Sequence, residues 1–159
     1  MAHIHEKIDF TSEVFIVYQD RVLLRIHDKY EKWLSIGGHI ELDEDPVEAA
    51  IREAKEEVGL DIEIEDSLLP PIRKNDETRD IIPPRFINRH WVSDTHEHVT
   101  LVYFGRATTD VICQPTNHEQ SPACRWFTRE EIEASTELVP NIKFYALKAL
   151  DALSTQTVK

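Results

Sequence analysis

Residues 38–60 read GHIELDEDPVEAAIREAKEEVGL and contain the best-defined helix of the chain. Asp45 suits the N-cap, Pro46 suits the first helical position, and Glu48 follows the cap by three residues, as in a capping box. Gly59 supplies a C-terminal stop. Between these ends, apolar residues recur at helical spacing and form one stripe for the core, namely Val47, Ala50, Ile51, Ala54 and Val58.

Three glutamates of this helix share a face that we expect to point away from the apolar stripe. Successive helical residues turn by about 100°, which places Glu53, Glu56 and Glu57 within one arc roughly 100° wide. Carboxylates three and four residues apart repel, and the helix dipole disfavours anions in the last turn. On these helix electrostatics alone, replacing Glu57 with glutamine would hold or raise stability. A solvated acidic face is the ordinary explanation, but the cost favours a use for the carboxylates.

The same segment satisfies a longer pattern at fixed spacing, G-x(5)-E-x(7)-R-E-U-x-E-E-x-G-U, where U is apolar. Its fixed positions are filled by Gly38, Glu44, Arg52, Glu53, Ala54, Glu56, Glu57, Gly59 and Leu60. Such agreement is far more specific than a lone short motif. The segment resembles the Nudix box, and the chain is identified as a member of the Nudix hydrolase family on this motif.

The resemblance extends beyond the box and implies a fold. The hairpin that precedes the box, the approach from Trp33 to Gly38 and the segment from Cys124 to Ile132 also look like this family. Its members share an α/β/α sandwich with a mixed β-sheet, so we expect one α/β domain over residues 1–159. Ile36 stands where many members have proline, and His39 where a third glycine is common. Neither departure removes a carboxylate, so we expect them to affect substrate shape rather than catalysis.

The resemblance also implies a metal-dependent reaction. In this family the box glutamates bind one or more divalent cations, so Glu53, Glu56 and Glu57 are expected to be catalytic residues and metal ligands. Gly37 would supply a carbonyl ligand, and Arg52 would position the carboxylates. The expected cofactor is Mg²⁺ or Mn²⁺, which would neutralise a diphosphate and lower the pKa of the attacking water. A carboxylate that holds no metal would accept the proton of that water.

Other candidates for the site lie outside the helix. Glu119, seven residues before Trp126, resembles a remote acid that completes such metal sites, although an exposed loop glutamate is an equal alternative. Arg25 is a candidate for contact with phosphate, whereas His27 is favoured as a surface residue. Gly38, His39 and His98 are further candidates for substrate binding.

The histidines at positions 90, 96 and 98 also suggest a metal site. Zinc is expected to have softer ligands at tighter spacing, so we favour a specificity wall or a hydrogen-bonded strand for His90, His96 and His98.

The rest of the chain alternates short apolar runs with two more helices. A hairpin is predicted over Glu13–Ile26, and the further predicted strands are Trp33–Ile36, His98–Ala107 and Cys124–Phe127. Thr128 caps a predicted helix to about Glu133, and a last helix is predicted from about Pro140 to Leu153. Ser67 to Glu97 is irregular and proline-rich and is predicted to contain some short strands, and we expect this excursion to select the substrate.

Composition limits the classes of partner and the compartment. The 159 residues carry a net charge of −12, with 18 basic and 30 acidic side chains, which disfavours nonspecific nucleic-acid binding. The apolar runs are far shorter than the roughly 20 residues of a membrane span, and residues 1–9 have no signal-peptide character. Cys113 and Cys124 are too few for a disulfide framework and fit a reducing cytoplasm.

The expected substrate is a small-molecule nucleoside diphosphate derivative, because the family shares the phosphate site and varies the pocket around it. Neither a proline nor a tyrosine signature for ADP-ribose or dinucleoside polyphosphates occurs near residues 75–77. Phe86, Trp91 and Tyr103 are candidates to stack a base, with a place in the core as the alternative.

Two rival functions are compatible with the resemblance. One is an isopentenyl diphosphate isomerase-like enzyme, disfavoured because such enzymes use a catalytic cysteine and a modified box. The other is a non-catalytic Nudix-like nucleotide sensor, disfavoured because such domains tend to lose box glutamates and this chain retains them. A homodimer is left open.

Overall fold

The computed structural model describes residues 5–69, 77–116 and 121–154. These residues form strands and helices that we number in chain order. The strands are β1 (Ile8–Tyr18), β2 (Arg21–His27), β3 (Lys32–Leu34), β4 (Ile36–His39), β5 (Ile62–Ile64), β6 (Phe86–Ser93), β7 (His96–Ala107) and β8 (Cys124–Thr128). The helices are α1 (Pro46–Val58), α2 (Arg129–Ala134) and α3 (Pro140–Leu153).

The strands form one mixed sheet whose central path runs β3-β2-β1-β7-β5. Strands β4, β8 and β6 pair with β1, β2 and β7, respectively. The long β1–β7 pair is parallel, and the other pairs are antiparallel. Because β1 pairs with three other strands, its residues can hold side chains from distant parts of the chain next to one another.

Both faces of the central sheet are covered by helices. Successive strand residues point to opposite faces, so Val14 and Ile16 pack on the side of α1, whereas Phe15 and Val17 pack on the side of α3. This double burial explains why β1 reads as a continuous apolar run. The α/β sandwich with a mixed sheet that the sequence predicts is confirmed.

Helix α1 begins and ends as its sequence predicts. The Asp45 carboxylate accepts hydrogen bonds from the amides of Val47 and Glu48, at 2.8 and 3.0 Å. The Glu48 carboxylate accepts from the Asp45 amide at 2.8 Å, which completes the capping box. Gly59 ends the helix with a φ of 71°, in the left-handed region that favours glycine.

The buried stripe of α1 differs from the predicted apolar stripe at both of its edges. Ile51, expected in the apolar stripe, is 41% exposed, whereas Ala49 is buried. On a helix with about 100° per residue, Glu57 lies only about 20° from Ala50, and Glu53 about 60°. These two glutamates therefore border the buried stripe on the side of the sheet and do not face solvent. Glu56 is the most exposed of the three glutamates, with 32% of its side chain exposed against 17% for Glu57.

The irregular region from Ser67 to Glu97 contains one well-formed strand. Strand β6 pairs with β7 from Phe86↔Val102 to Ser93↔His96, with an irregularity between Trp91 and Ser93. The prediction of short strands inside this excursion is thereby confirmed. Among the described helices, none combines the length and the apolar character needed to cross a membrane.

Candidate active site

A cavity of about 310 Å³ opens between the α1 face of the sheet and the turn that joins β2 to β3. Its wall includes side chains from β1, β2, β4, α1, β6 and β7, so no single segment builds it. The lining residues are Thr11, Glu13, Arg25, His27, Asp28, Lys29, Tyr30, Leu34, Ser35, Gly37, Gly38, His39, Glu53, Glu57, Val92, His98 and Ser121. Box residues, strand residues and turn residues thus share one concave surface.

Glu57 is held in this cavity by an arginine of the neighbouring strand. Its carboxylate accepts from Arg25 Nε at 2.9 Å, pairs with the other end of the same guanidinium, and accepts from the Gly37 amide at 3.1 Å. Arg25 also donates to Ser121 Oγ at 3.2 Å. Arg25 is only 7% exposed, so this is a largely desolvated ion pair.

A second arginine gathers the other carboxylates of the box. Arg52 donates to both oxygens of Glu44, at 2.9 and 2.6 Å, and to Glu53 and Glu56, at 2.9 and 3.0 Å. It also donates to the His39 carbonyl oxygen at 3.0 Å, which ties α1 to the end of β4. The two arginines therefore offset the repulsion that the helix pattern predicts among the glutamates.

Burial alters the protonation of the two inner carboxyls. It raises the pKa of Glu57 to about 8, against the opposing effect of the Arg25 guanidinium. Burial also raises the pKa of Glu53, which is opposed by Arg52. The Arg25 guanidinium favours the charged carboxylate of Glu57 that burial disfavours, so this position suits a group that is further stabilised by a positive charge.

Gly38 permits the close approach of Glu53 to the loop before α1. A Cβ atom at position 38 would clash with Glu53 Oε1 and lie 2.8 Å from Glu53 Cδ. A Cβ at Gly37 would instead clash with the Ser12 carbonyl and lie 2.8 Å from Glu13 Cα. The missing side chain therefore has a different steric role at each glycine. Gly38 leaves room for the Glu53 carboxylate, and Gly37 leaves room for the backbone of β1.

The donor set around Glu53 and Glu57 fits a hard divalent cation. Both side chains offer carboxylate oxygens, the ligands that Mg²⁺ and Mn²⁺ prefer, and both are largely withdrawn from water. A cation would stabilise the ionised form that burial disfavours. In the structure the arginines hold these carboxylates, and the three box glutamates do not form a convergent group of ligand atoms in the described residues.

Most predicted site residues meet at the cavity, with three exceptions. Arg25, Gly37, Gly38, His39, Glu53, Glu57 and His98 line it. Arg52 and Glu56 lie beside it, where Arg52 bonds Glu53 and Glu56. Glu119 lies outside the described residues. His27, expected at the surface, lines the cavity as well.

The aromatic residues expected to stack a base lie elsewhere. Phe86 packs against Phe104, Phe144 and Tyr145, and Tyr103 is 1% exposed in the core beside α1. Trp91 is 68% exposed on β6 and does not line the cavity. All three residues lie on strands β6 and β7, whose side chains alternate between the two faces of the sheet, and not in a loop at the cavity.

Glu13 and Tyr30 are among the cavity residues that are absent from the sequence-based candidates. Glu13 is buried and accepts from Ser35 Oγ at 3.0 Å, and burial raises its pKa. Tyr30 lies in the β2–β3 turn with its ring centroid 4.6 Å from that of His27. An acid inside an otherwise apolar strand was a usable signal for Glu13. Nothing in the sequence singles out Tyr30, because its turn meets the box only through the fold.

Neither cysteine is placed for catalysis at this cavity. Cys113 and Cys124 are both free thiols, and neither is among the lining residues. The isomerase-like alternative, which uses a catalytic cysteine, gains no support from this placement.

Comparisons with known proteins agree on one family. A family model for the NUDIX domain matches residues 9–148. A NUDIX-family hydrolase from Clostridium perfringens superimposes with a TM-score of 0.79 at 35% identity, covering 90% of this chain and 96% of that chain. A MutT NUDIX hydrolase from Burkholderia pseudomallei gives 0.62 at 20% identity, covering 94% and 100%. An ADP-ribose pyrophosphatase from Streptococcus suis gives 0.58 at 16% identity, covering 95% and 96%. No curated protein matched the sequence.

Proposed function

The chain is a hydrolase of the NUDIX family, and on that premise we propose that it cleaves the diphosphate linkage of a nucleoside diphosphate derivative with Mg²⁺ or Mn²⁺. The observation that carries the proposal is the pair of carboxylates at one cavity, Glu53 with 3% and Glu57 with 17% of its side chain exposed. When bound there, a divalent cation supplies charge neutralisation of the diphosphate and activation of water.

Each residue has a separate part in the proposed reaction. Glu53, Glu56 and Glu57 would bind the cation together with the Gly37 carbonyl, and Arg52 positions the carboxylates through its hydrogen bonds. A carboxylate that holds no metal would accept the proton that the attacking water loses. Arg25, once it is released from Glu57, has a guanidinium suited to bidentate contact with phosphate oxygens.

Further proposals concern the domain organisation, the partners, the compartment and the remaining site residues. We propose a single domain over residues 1–159 and a small-molecule substrate, without nucleic-acid or membrane partners. A homodimer is left open. Free thiols at Cys113 and Cys124 support a reducing compartment such as the cytoplasm. We also propose Glu119 as a remote acid, and Gly38, His39 and His98 as contacts for the substrate.

The test is a screen of purified protein with Mg²⁺ against a panel of nucleoside diphosphate derivatives, including ADP-ribose, with phosphate measured after phosphatase coupling. We expect phosphate release from at least one compound, and loss of that release in excess chelator. Glu53→Gln should abolish it, whereas Glu63→Gln, an exposed change on β5, should not. Full turnover in chelator, or a Glu53→Gln variant as active as wild type, would reject the proposal.

A further inference from the structure

Three side chains from three strands converge beside the cavity. Asp9 on β1, His39 on β4 and His98 on β7 bring one ligand atom each within 4.8 Å of one another. Asp9 and His98 are register partners in the parallel β1–β7 pair, and β4 pairs with β1 two residues further along. Among the described residues, no other group of three or more His, Cys, Asp or Glu side chains brings its ligand atoms this close together.

The carboxylate of this group is fully buried. Asp9 is 0% exposed, and its Oδ1 accepts from the His5 amide at 2.7 Å. Its Oδ2 lies 3.2 Å from His39 Nε2 and 3.3 Å from His96 Nε2. A buried carboxylate is costly unless a positive charge or a metal ion offsets it. A metal ion bound by Asp9 and the neighbouring imidazoles would offset this cost.

The distance between Asp9 and His39 is compatible with two ligands of one metal ion. Two ligands of a tetrahedral Zn²⁺ with bonds of about 2.0–2.1 Å are separated by about 3.3–3.4 Å. Asp9 Oδ2 and His39 Nε2, which both belong to the group, are 3.2 Å apart.

His96 is held as an outer partner of the group. Its Nδ1 lies 3.2 Å from the Glu6 carbonyl oxygen, which can only accept, so Nδ1 carries the hydrogen. Its Nε2 lies 3.3 Å from Asp9 Oδ2, so His96 contacts the carboxylate of the group without belonging to the group. Outer contacts of this kind orient a ligating carboxylate.

We propose that Asp9, His39 and His98 form a second metal site, which takes a borderline transition-metal ion of the Zn²⁺ or Co²⁺ class and not Mg²⁺. Two imidazole nitrogens and one carboxylate suit that class, whereas Mg²⁺ requires oxygen ligands. Three protein ligands leave a tetrahedral position open. His39 and His98 both line the cavity, so that position suits an anionic oxygen of a phosphate held in it.

The three residues are widely spaced in the sequence, but metal ligands need to be close in space and not in the chain. Here the register of β1 with β4 and β7 supplies the proximity instead. The proposal does not depend on the diphosphate reaction, since it concerns a separate set of ligands and is tested by metal binding alone.

The experiment is a Co²⁺ titration of the full chain in a large excess of Mg²⁺, followed by visible absorption of the bound Co²⁺. Excess Mg²⁺ saturates oxygen-rich sites and leaves the imidazole site for Co²⁺. We expect one Co²⁺ per chain with tetrahedral absorption, and X-ray absorption of the Zn²⁺-loaded wild type should show scattering from two imidazoles. Failure of either result, for example no Co²⁺ bound or no imidazole scattering, overturns the proposal without recourse to any variant.

Variants assign the site to its residues. His39→Gln, His98→Gln and Asp9→Asn should weaken Co²⁺ binding by about 10²-fold or more, and His96→Gln by about 10- to 100-fold. His90→Gln is the matched control. The ring centroids of His90 and His98 are 5.6 Å apart, but His90 lies outside the group. Circular dichroism would show that each variant folds. Equal losses in His90→Gln and His98→Gln, or a loss only in Glu57→Gln, would contradict the assignment.

Discussion

At the scale of single residues, the ion pair between Arg25 and Glu57 changes how the box helix must be interpreted. Viewed as a helix alone, Glu57 is a repelled anion in an unfavourable last turn. In the folded chain it is a largely buried partner of an arginine that is 7% exposed. Removing one member of such a pair leaves the other without compensation, so the expected effect on stability changes sign.

We predict that Glu57→Gln lowers the metal-free free energy of unfolding by about 1.5–3 kcal/mol, the scale of hydrogen bonds to charged groups. The rate should fall by roughly 10²-fold or more, as for loss of an acid-base or charge-stabilising group. Denaturant unfolding and steady-state kinetics measure the two effects. In a double-mutant cycle with Arg25→Gln we expect a coupling energy of about 0.5–3 kcal/mol. Additive losses would show that the pair is not formed in solution.

The paired glycines give a second prediction, with each variant serving as the control of the other. Gly38→Ala displaces the end of a flexible side chain, Glu53, so stability should change little while kcat falls roughly 10²-fold. Gly37→Ala meets the backbone of Ser12 and Glu13, so it should destabilise the fold by about 1–3 kcal/mol. Thermal unfolding and kcat distinguish them. Similar melting temperatures for the two variants would contradict this division.

At the scale of elements, a salt bridge connects β5 to the start of β6. Arg85, just before β6, pairs with Glu65, just after β5, and donates to Ser67 Oγ at 2.8 Å. Burial raises the pKa of Glu65, but hydrogen bonds from Ser67 and Arg85 outweigh burial and lower it below 4.5. The two ends of the segment that includes residues 70–76 are thereby attached to the same sheet.

We predict an acid-dependent contribution from this contact. Because the folded pKa of Glu65 is depressed, its stabilisation is present above about pH 4.5 and is lost as the pH falls through the folded pKa. Glu65→Gln should therefore cost roughly 1 kcal/mol near neutral pH and show a shallower loss of stability in acid. Urea unfolding of metal-free protein at several pH values measures this. Glu63→Gln, exposed on β5, is the control, and parallel pH profiles for wild type and Glu65→Gln would refute the prediction.

At the scale of the whole molecule, the cavity wall is built by segments that the sequence does not connect. Of the described residues between Ser67 and Glu97, Val92 lines the cavity. The β2–β3 turn contributes Asp28, Lys29 and Tyr30, and the Glu31 amide fixes that turn by bonding the His27 carbonyl at 2.8 Å. We therefore expect this turn to contribute to substrate choice beside the excursion.

We predict that Tyr30→Ala changes the ranking of substrates that differ in their base, by roughly 10-fold in kcat/KM, the scale of one base stacked on an aromatic ring. The dependence on Mg²⁺ should not change, because Tyr30 is outside the carboxylate set. Trp91→Ala is the matched control, since Trp91 is also an exposed aromatic residue but is not at the cavity. A changed ranking in Trp91→Ala, with Tyr30→Ala like wild type, would contradict a role of this turn and favour the excursion alone.

The sequence by itself determined the elements whose cause is local. The α1 cap at Asp45 and its end at Gly59 depend on backbone groups within a few residues, and the box pattern lies within one segment. The apolar runs of β1 and β7 also predicted buried strands, because a strand covered on both faces has no polar alternation. These features required no knowledge of distant contacts.

Tertiary structure alone decided which side chains meet. The rotation of α1 on the sheet buries Glu53 and Glu57, and the β2 register brings Arg25 to Glu57. The pairing of β1 with β4 and β7 gathers Asp9, His39 and His98, although 30 and 59 residues separate successive members in the chain. Periodicity within a segment reports the face of a residue, whereas strand pairing sets its neighbours, and that pairing depends on burial summed over the whole sheet.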